Sequence, residues 1–277
     1  MKRIKALYKL SRPMTSLSGG LAVVVGGYVA GTGAWGKIGL ACLTTLFIAA
    51  SANAWNDTLD IDIDRVNQPH RPLPAGMLTV EDARRFAFAA AAVSLLIASF
   101  INWPAFLTAL ASNVLLILYS LRLKTTVLLG NATVAAISAM SAVFGGMAAG
   151  NARPTLWLAL IILCGIMGRE VLKTLADYEG DLRYRCRTVA TVWGRRWARV
   201  VFFALTATTL IVMMVPYLVK VYNPVYAYVV GIGVYPVILY IIMRVNRDRT
   251  GQQLEKLSQL LKYDFLIWFL AVVLGTT

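Results

Sequence analysis

Residues 43–64 read Leu43-Thr-Thr-Leu-Phe-Ile-Ala-Ala-Ser-Ala-Asn53-Ala-Trp-Asn56-Asp57-Thr-Leu-Asp60-Ile-Asp62-Ile-Asp64, an apolar stretch that runs directly into a row of acids. The arrangement recurs where another apolar stretch ends, in Arg169-Glu170-Val-Leu-Lys173-Thr-Leu-Ala-Asp177-Tyr-Glu179-Gly-Asp181. We call residues 53–64 the first acidic cluster and residues 169–181 the second. Seven of the 13 acids lie in 57–64 and 177–181, although the net charge is +14. Carboxylates concentrated in a basic protein indicate captured cations.

The composition places the chain in a membrane. It is 58% hydrophobic and 14% charged, which is typical of an integral membrane protein. A spanning helix needs about 20 mostly apolar residues. The sequence therefore predicts an all-α fold with nine transmembrane helices, near 15–34, 38–58, 82–102, 104–121, 125–149, 155–176, 198–219, 224–243 and 260–275. Without a Ser/Gly-rich linker, we expect a single transmembrane domain over residues 1–277.

The basic residues predict the orientation. Of the 27 Lys and Arg residues, 22 lie at the N-terminus and in the stretches 65–85, 122–124, 183–199 and 244–262, which nine spans place on one side. By the positive-inside rule that side is cytoplasmic, together with the N-terminus and both clusters. We expect a multi-pass cell-membrane protein that contacts anionic lipids. Charge confined to short juxtamembrane loops argues against a nucleic-acid partner.

Other classes of site are disfavoured by the rare residue types. The three cysteines are scattered, so a disulfide framework or a cysteine metal site is not expected. His70 is the only histidine, which excludes a histidine-based zinc site and a Ser-His triad.

Helical geometry gathers most of each cluster on one face. At about 100° per residue, Asn53, Asn56, Asp57, Asp60 and Asp64 share an arc of about 100°, and Asp62 points away. In the second cluster Glu170, Lys173, Asp177 and Asp181 share a similar arc, and Glu179 points away. We expect Asp62 and Glu179 to be solvated or paired with Arg65 and Arg183.

Carboxylates at i, i+4 spacing repel each other, and divalent cations relieve that repulsion. Oxygen-only ligands suit Mg²⁺, which usually leaves coordination positions for substrate phosphates. Two facing stripes with two Mg²⁺ would clamp a diphosphate. The predicted metal ligands are Asn56, Asp57, Asp60, Asp64, Asp177 and Asp181, and we expect Asp60, Asp64, Asp177 and Asp181 to be catalytic. The alternative is that these acids are solvated side chains at helix ends and bind no metal.

Nearby side chains complete the candidate site. Lys and Arg bind phosphate oxygens, so the diphosphate-binding candidates are Asn53, Arg71, Lys124 and Lys173. The candidates for binding the acceptor are Arg12, Arg169 and Tyr119. Tyr119 and Tyr178 are also candidates to stabilise positive charge through their ring faces. The alternative that these basic residues only set the orientation of the chain in the membrane stays open, because the loops that carry them are basic throughout.

The two clusters resemble the signatures of the UbiA-type intramembrane prenyltransferases. Asn56-Asp57-x-x-Asp60-x-x-x-Asp64 matches the first signature, and Lys173-x-x-x-Asp177-x-x-x-Asp181 matches the second. The resemblance covers the whole chain. It implies a bundle of nine helices around a central cavity and Mg²⁺-dependent transfer of a prenyl group from an isoprenyl diphosphate.

Within that superfamily, aromatic-acid and haem-type members usually carry Arg directly after the second Asp of the first signature, where this chain has Ile61. The stretch Arg169-Glu170-Val-Leu-Lys173…Glu179-Gly-Asp181 most resembles the archaeal ether-lipid branch, the digeranylgeranylglyceryl phosphate synthases, although chlorophyll synthases share its Glu-Gly-Asp. That branch implies geranylgeranyl transfer to geranylgeranylglyceryl phosphate. Three other hypotheses stay open: an aromatic acceptor such as 4-hydroxybenzoate or another quinone precursor, a cation channel or transporter, and a structural membrane protein.

Overall fold

The computed structural model describes residues 2–246 and 250–276, and within those ranges it contains helices and no strands. The α-helices are α1 (Lys2–Ser11), α2 (Pro13–Val29), α3 (Trp35–Leu59), α4 (Ile61–Asn67), α5 (Val80–Ser99), α6 (Trp103–Leu121), α7 (Leu129–Ala149), α8 (Leu156–Ala176), α9 (Tyr178–Arg183), α10 (Val189–Leu218), α11 (Pro224–Val229), α12 (Tyr235–Val245) and α13 (Gly251–Thr276). A π-helical segment, Val230–Val234, joins α11 to α12. The all-α prediction is confirmed.

Seven helical stretches in the described residues are long and apolar enough to cross a membrane. They are Trp35–Leu59, Trp103–Leu121, Leu129–Ala149, Arg153–Ala176, Val189–Leu218, Pro224–Val245 and Gly251–Thr276. The predicted spans 15–34 and 82–102 correspond to α2 and α5. The apolar part of α2 is the shorter Ser16–Val29, and α5 begins with four charged residues in its first two turns. The chain is a multi-pass membrane protein, and the count of nine stays a prediction.

Two of the short joints between helices form through asparagine caps. Asn102 Oδ1 accepts a hydrogen bond from Ala105 N at 2.8 Å, and Asn223 Oδ1 accepts one from Val225 N at 2.8 Å. A proline follows each cap in the first turn of the helix, where its missing N–H costs no hydrogen bond. These short joints keep consecutive helices adjacent.

The chain forms two compact units, Met1–Lys124 with Met140–Thr155, and Thr125–Ala139 with Leu156–Thr277. In the first unit α3 is central and packs against α1, α2, α5 and α6. Leu10 of α1 is fully buried in an apolar cluster with Ala54 and Ala87, among others. This packing holds α1 beside the end of α3 that carries the first acidic cluster. The single-domain expectation stays a prediction.

Glycines allow a very close helix approach in the first unit. A Cβ built on Gly145 of α7 would collide with the carbonyl oxygen of Val23 in α2. A Cβ on Gly26 of α2 would collide in the same way with the carbonyl oxygen of Ala142. Small residues at helix interfaces let backbones touch in membranes, where dispersion contacts replace the hydrophobic effect between helices.

In the second unit α8 packs against α10 and α13, and α13 packs against α11 and α12. Tyr226 and Trp268 form its buried aromatic centre, and both are 0% exposed. The Tyr226 hydroxyl donates to Met213 O at 2.7 Å and accepts from Trp268 Nε1 at 3.1 Å. Every polar atom of this pair therefore has a partner, as buried polar groups require.

Candidate active site

Both acidic clusters cross a helix break at a matched position. Asp60 separates α3 from α4 with φ −100° and ψ 9°, and Asp177 separates α8 from α9 with φ −88° and ψ 5°. These angles lie in the bridge region, outside the helical basin. The uninterrupted helices assumed in the sequence analysis are therefore wrong at these two residues.

The four-residue spacing survives each break. Asp60 N donates to Asn56 O at 3.1 Å, and Asp64 N donates to Asp60 O at 2.8 Å. In the second cluster Asp177 N donates to Lys173 O at 2.9 Å, and Asp181 N donates to Asp177 O at 2.8 Å. Because the backbone hydrogen bonds continue, residues four apart stay stacked along each bent segment.

Three basic side chains neutralise the acids of the first cluster. The ion pairs are Arg12–Asp57, Arg71–Asp64 and Lys124–Asp60. Arg71 Nη1 donates to both Asp64 oxygens, at 2.7 and 2.6 Å, and lies 3.7 Å from Asp57 Oδ1. Asp57 and Asp64 are only 1% and 4% exposed. Carboxylates this buried need a cation beside them. Arg71 and Lys124 were predicted to bind the diphosphate, and Arg12 was predicted to bind the acceptor.

The two asparagines of the first cluster have different partners. Asn56 Nδ2 donates to Asp60 Oδ2 at 2.7 Å, which keeps it within the predicted metal-binding face. Asn53 Nδ2 donates to Ser11 O at 3.1 Å. The amide of Asn53 therefore ties the end of α1 to α3, whereas the sequence analysis assigned it to diphosphate binding.

Arg12 has an unusual backbone conformation between α1 and α2. Its φ and ψ are 49° and 56°, a left-handed conformation that non-glycine residues seldom adopt. The neighbouring Pro13 disfavours the right-handed helical region for Arg12. The chain turns sharply there, and the turn brings the Arg12 side chain to Asp57.

The two acids predicted to face elsewhere do so. Asp62 pairs with Arg65 at 2.8 Å, and both side chains are well exposed, as predicted. Glu179 is exposed as well. Asp177 is exposed too. Exposure therefore makes Asp62 a matched control for Asp60, and Glu179 a matched control for Asp181.

In the second cluster one buried carboxylate pairs with two basic side chains. Glu170 is 7% exposed and accepts from Lys173 Nζ at 3.1 and 3.3 Å and from Arg169 Nη1 at 3.2 Å. Arg169 Nε also donates to Ser258 O at 3.2 Å, so it connects α8 to α13. The sequence analysis placed Glu170 and Lys173 on one face and did not anticipate that they pair.

The pKa of Asp181 is raised to about 6, chiefly by burial and also by the nearby Asp177 carboxylate, while a hydrogen bond with Thr188 opposes the shift. A pKa near 6 means that ionised Asp181 is poorly stabilised by its protein neighbours. A cation beside it would favour the ionised form.

Of the two tyrosines considered for stabilising positive charge, one already has a cationic neighbour. The Arg195 guanidinium carbon lies 5.4 Å from the centre of the Tyr178 ring, a cation–π distance. Tyr119 is partly buried in α6. Its predicted role toward the acceptor stays a prediction.

The donor set fits Mg²⁺ in chemistry. Every predicted ligand offers a carboxylate or amide oxygen, the atoms that this ion prefers. Among the described residues no three Asp, Glu, His or Cys side chains converge closely enough to hold a metal as they stand. Binding in the first unit would thus require that the basic partners release the acids.

The model of the UbiA prenyltransferase family matches residues 17–270, which include both clusters. The chain belongs to the UbiA prenyltransferase family. It is similar to a digeranylgeranylglyceryl phosphate synthase of Thermococcus gammatolerans, with 31% identity over 97% of this chain and 96% of that protein. The family membership makes the chain a prenyltransferase.

Solved structures of the UbiA family have the same fold. One, described as giving insight into digeranylgeranylglyceryl phosphate synthase in membranes, superposes with a TM-score of 0.80 at 26% identity and covers 100% of this chain and 99% of that one. A UbiA homologue from Archaeoglobus fulgidus bound to GPP and Mg²⁺ superposes with a TM-score of 0.73 at 21% identity, over 95% of this chain and 99% of that one.

One buried acid was missed by the sequence analysis of this UbiA protein. Asp264 lies within α13 at 4% exposure, and its Oδ1 has no hydrogen-bond partner. The signal that could have revealed it was an acid within the predicted membrane span 260–275, because such residues are costly in a membrane.

Arg71→Lys should lower kcat/KM for the isoprenyl diphosphate roughly tenfold, the cost of weakening a hydrogen bond between charged groups. Lysine presents a point charge, and it cannot reproduce the planar guanidinium that contacts Asp64 and Asp57. Steady-state titration of the donor measures the effect. Arg65→Lys, in the exposed pair with Asp62, is the control, and an equal loss in both variants would contradict the assignment.

Proposed function

We propose that the chain transfers a geranylgeranyl group from geranylgeranyl diphosphate to geranylgeranylglyceryl phosphate, with Mg²⁺, in archaeal membrane ether-lipid biosynthesis. The observation that carries the proposal is the pair of bent acidic segments with the same spacing, each beside basic side chains that suit phosphate oxygens. The donor class is supported by the UbiA homologue bound to GPP and Mg²⁺. The acceptor is supported by the names of the relatives.

The carboxylates are proposed to hold the metal and the basic residues to hold the diphosphate. In this proposal two Mg²⁺ ions are bound by Asn56, Asp57, Asp60, Asp64, Asp177 and Asp181. Bound Mg²⁺ would supply positive charge for the departing diphosphate. Arg71, Lys124 and Lys173 would move from their carboxylate partners to phosphate oxygens and stabilise the same developing charge.

The reaction exchanges one C–O bond for another. The bond between the allylic carbon and the diphosphate breaks and the diphosphate keeps the electron pair. The acceptor hydroxyl oxygen then bonds to that carbon and loses its proton. Water would capture the allylic cation, so apolar helices must exclude water from the site. The apolar spans of this chain supply such walls.

The proposed topology has nine crossings, with the N-terminus and both clusters on the cytoplasmic side and α2 and α5 as the two shorter spans. The distribution of basic residues supports it, because 22 of 27 fall on the same side in this arrangement. Snorkelling of the charged first turns of α5 toward the interface would let that helix span. Cysteine labelling at Lys37 and Arg183 from opposite sides of sealed vesicles tests the arrangement.

The deciding experiment offers purified protein radiolabelled geranylgeranyl diphosphate and Mg²⁺ with two acceptors in parallel. We expect an ether product with geranylgeranylglyceryl phosphate and no product after EDTA treatment. A product with 4-hydroxybenzoate instead would move the protein to quinone-precursor metabolism. Absence of both products, together with absence of diphosphate binding, would refute the proposed function.

A further inference from the structure

A small cavity with a mostly apolar lining lies inside the second unit, between α8, α10, α12 and α13. About 20 Å³ of it is open to the centre of a water molecule, and its polar lining comes from Arg169, Thr206, Thr209 and Asp264. The remaining walls are apolar and include Met213, Ile238 and Phe265. This volume suits one water molecule, which needs about 10–15 Å³ and two to four polar partners.

The polar groups around the cavity have unused acceptor capacity. Asp264 Oδ1 is buried without a hydrogen-bond partner, which is costly for a carboxylate. The Thr206 and Thr209 hydroxyls donate to carbonyls of their own helix, Phe202 O at 2.7 Å and Leu205 O at 2.8 Å. Each hydroxyl oxygen can then accept a hydrogen bond from a molecule in the cavity.

Arg169 makes the cavity a poor site for a metal cation and a good one for water. A guanidinium repels a cation but donates readily to a water oxygen. A water in this position accepts from Arg169 and donates to Asp264 and to a threonine hydroxyl. It then makes three hydrogen bonds, within the two to four that a buried water usually makes.

The surroundings of Arg169 are basic. Glu170 is the one carboxylate in ion-pair contact with Arg169 in the described residues, and Arg169 shares it with Lys173. Lys262 lies close enough to act on Arg169 electrostatically and adds a further positive charge. Asp264 is the acid that shares the lining of the cavity with Arg169.

We propose that Asp264 is a positioning residue for the second acidic cluster and acts on Arg169 through a water held in this cavity. Arg169 orients Glu170, and Glu170 in turn orients Lys173, a proposed ligand of the diphosphate. This inference rests on the proposed function only in the role given to Lys173. The link between Asp264 and Arg169 is independent of it.

The test is a double-mutant cycle with Asp264→Leu, Arg169→Met and the combined variant, read first as unfolding temperature in detergent. Asp264→Leu should lower the unfolding temperature of the wild type, because it breaks the proposed water-mediated link to Arg169. In the Arg169→Met background the same change should leave the temperature unchanged or raise it. A rise in both backgrounds would mean that Asp264 is merely a poorly solvated acid, and the proposal would fall.

Donor binding provides a readout that a purely structural role would not change. Asp264→Leu should weaken the binding of geranylgeranyl diphosphate roughly tenfold, with no further loss when Arg169→Met is already present. Asp264→Asn, which keeps a hydrogen-bonding oxygen, should fall between Asp264→Leu and wild type, and it serves if the leucine variant does not fold. Thr208→Val, on the exposed face of α10, should bind the donor like wild type. Equal, additive losses in both backgrounds would overturn the proposal.

The experiments distinguish failure of the proposed function from failure of the link between Asp264 and Arg169. If wild-type protein binds no isoprenyl diphosphate, the proposed function fails, and the unfolding-temperature cycle still decides the link between Asp264 and Arg169. A high-resolution experimental structure adds a direct check. Density for a water within hydrogen-bonding distance of Asp264 Oδ1 is expected, and a cavity empty of density would contradict the proposal.

Discussion

Asp60→Asn is expected to lower prenyl transfer roughly 1000-fold, as losing a preorganised electrostatic group does in other enzymes. The amide has nearly the same shape but lacks the charge that a divalent cation requires. Asp60 is a better test than Asp57 or Asp64, because its side chain is 16% exposed and its pair with Lys124 is less buried. Breaking a buried pair costs about 3–5 kcal/mol, which would confuse lost chemistry with lost folding.

The matched control is Asp62→Asn, two residues away on the exposed side of α4. Product formation by radiolabelled assay at saturating donor should stay close to wild type for this variant, and unfolding temperatures should be similar for both proteins. Comparable losses at Asp60 and Asp62 would show that total acidity, rather than the inward face, is what the reaction needs. Asp181→Asn against Glu179→Gln repeats the comparison in the second cluster.

Gly145→Ala is expected to destabilise the protein by about 3 kcal/mol, at the upper end of overpacking costs. The added methyl would overlap the Val23 carbonyl and lie 2.8 Å from Gly27 N. Both obstacles are helix backbone, so relief requires α2 and α7 to separate. Thermal unfolding in detergent, followed by circular dichroism, measures the loss.

Gly36→Ala is the control for this helix contact. Gly36 lies in the first turn of α3, and a Cβ there would meet nothing within 4 Å. Alanine in a helical position restricts the unfolded chain, so this variant should gain about 0.5 kcal/mol. If both substitutions lowered the unfolding temperature alike, the close approach of α2 and α7 would not be the cause.

The sequence predicted which residues of each cluster lie together better than it predicted the backbone that carries them. The inward face of Asn56, Asp60 and Asp64 and the exposed Asp62 followed from helical periodicity alone. The breaks at Asp60 and Asp177 did not, because a uniform 100° step assumes an unbroken helix. The four-residue spacing held because the backbone hydrogen bonds continue across each break.

Helical periodicity could not predict the ion pairs of the first cluster. Arg12 lies 45 residues from Asp57, and Lys124 lies 64 residues from Asp60. Contacts at such separations depend on tertiary packing, and in the case of Arg12 also on a rare left-handed backbone. The residue types were nevertheless identified from charge, since Arg12, Arg71 and Lys124 were all candidates for binding anions.

The prediction of the membrane spans was also accurate for some helices and incomplete for others. Helices with uninterrupted apolar sequence were identified with nearly correct bounds, as for Trp103–Leu121 against the predicted 104–121. For α5 the sequence located the helix, but its charged first turns leave its membrane crossing to be tested. The sequence analysis missed Asp264 because it identified acids by their spacing within clusters, and Asp264 belongs to no cluster.

The ion pairs Arg12–Asp57, Arg71–Asp64 and Lys124–Asp60 have a thermodynamic consequence for the order of ligand capture. Mg²⁺ arriving alone must compete with guanidinium and ammonium groups for the carboxylates, and a diphosphate arriving alone must compete with the carboxylates for those groups. When both arrive, each set of displaced charges finds a new partner. Under the ligand assignment proposed above, the affinities for the two ligands are therefore reciprocally linked, and each ligand would strengthen the binding of the other by the same factor.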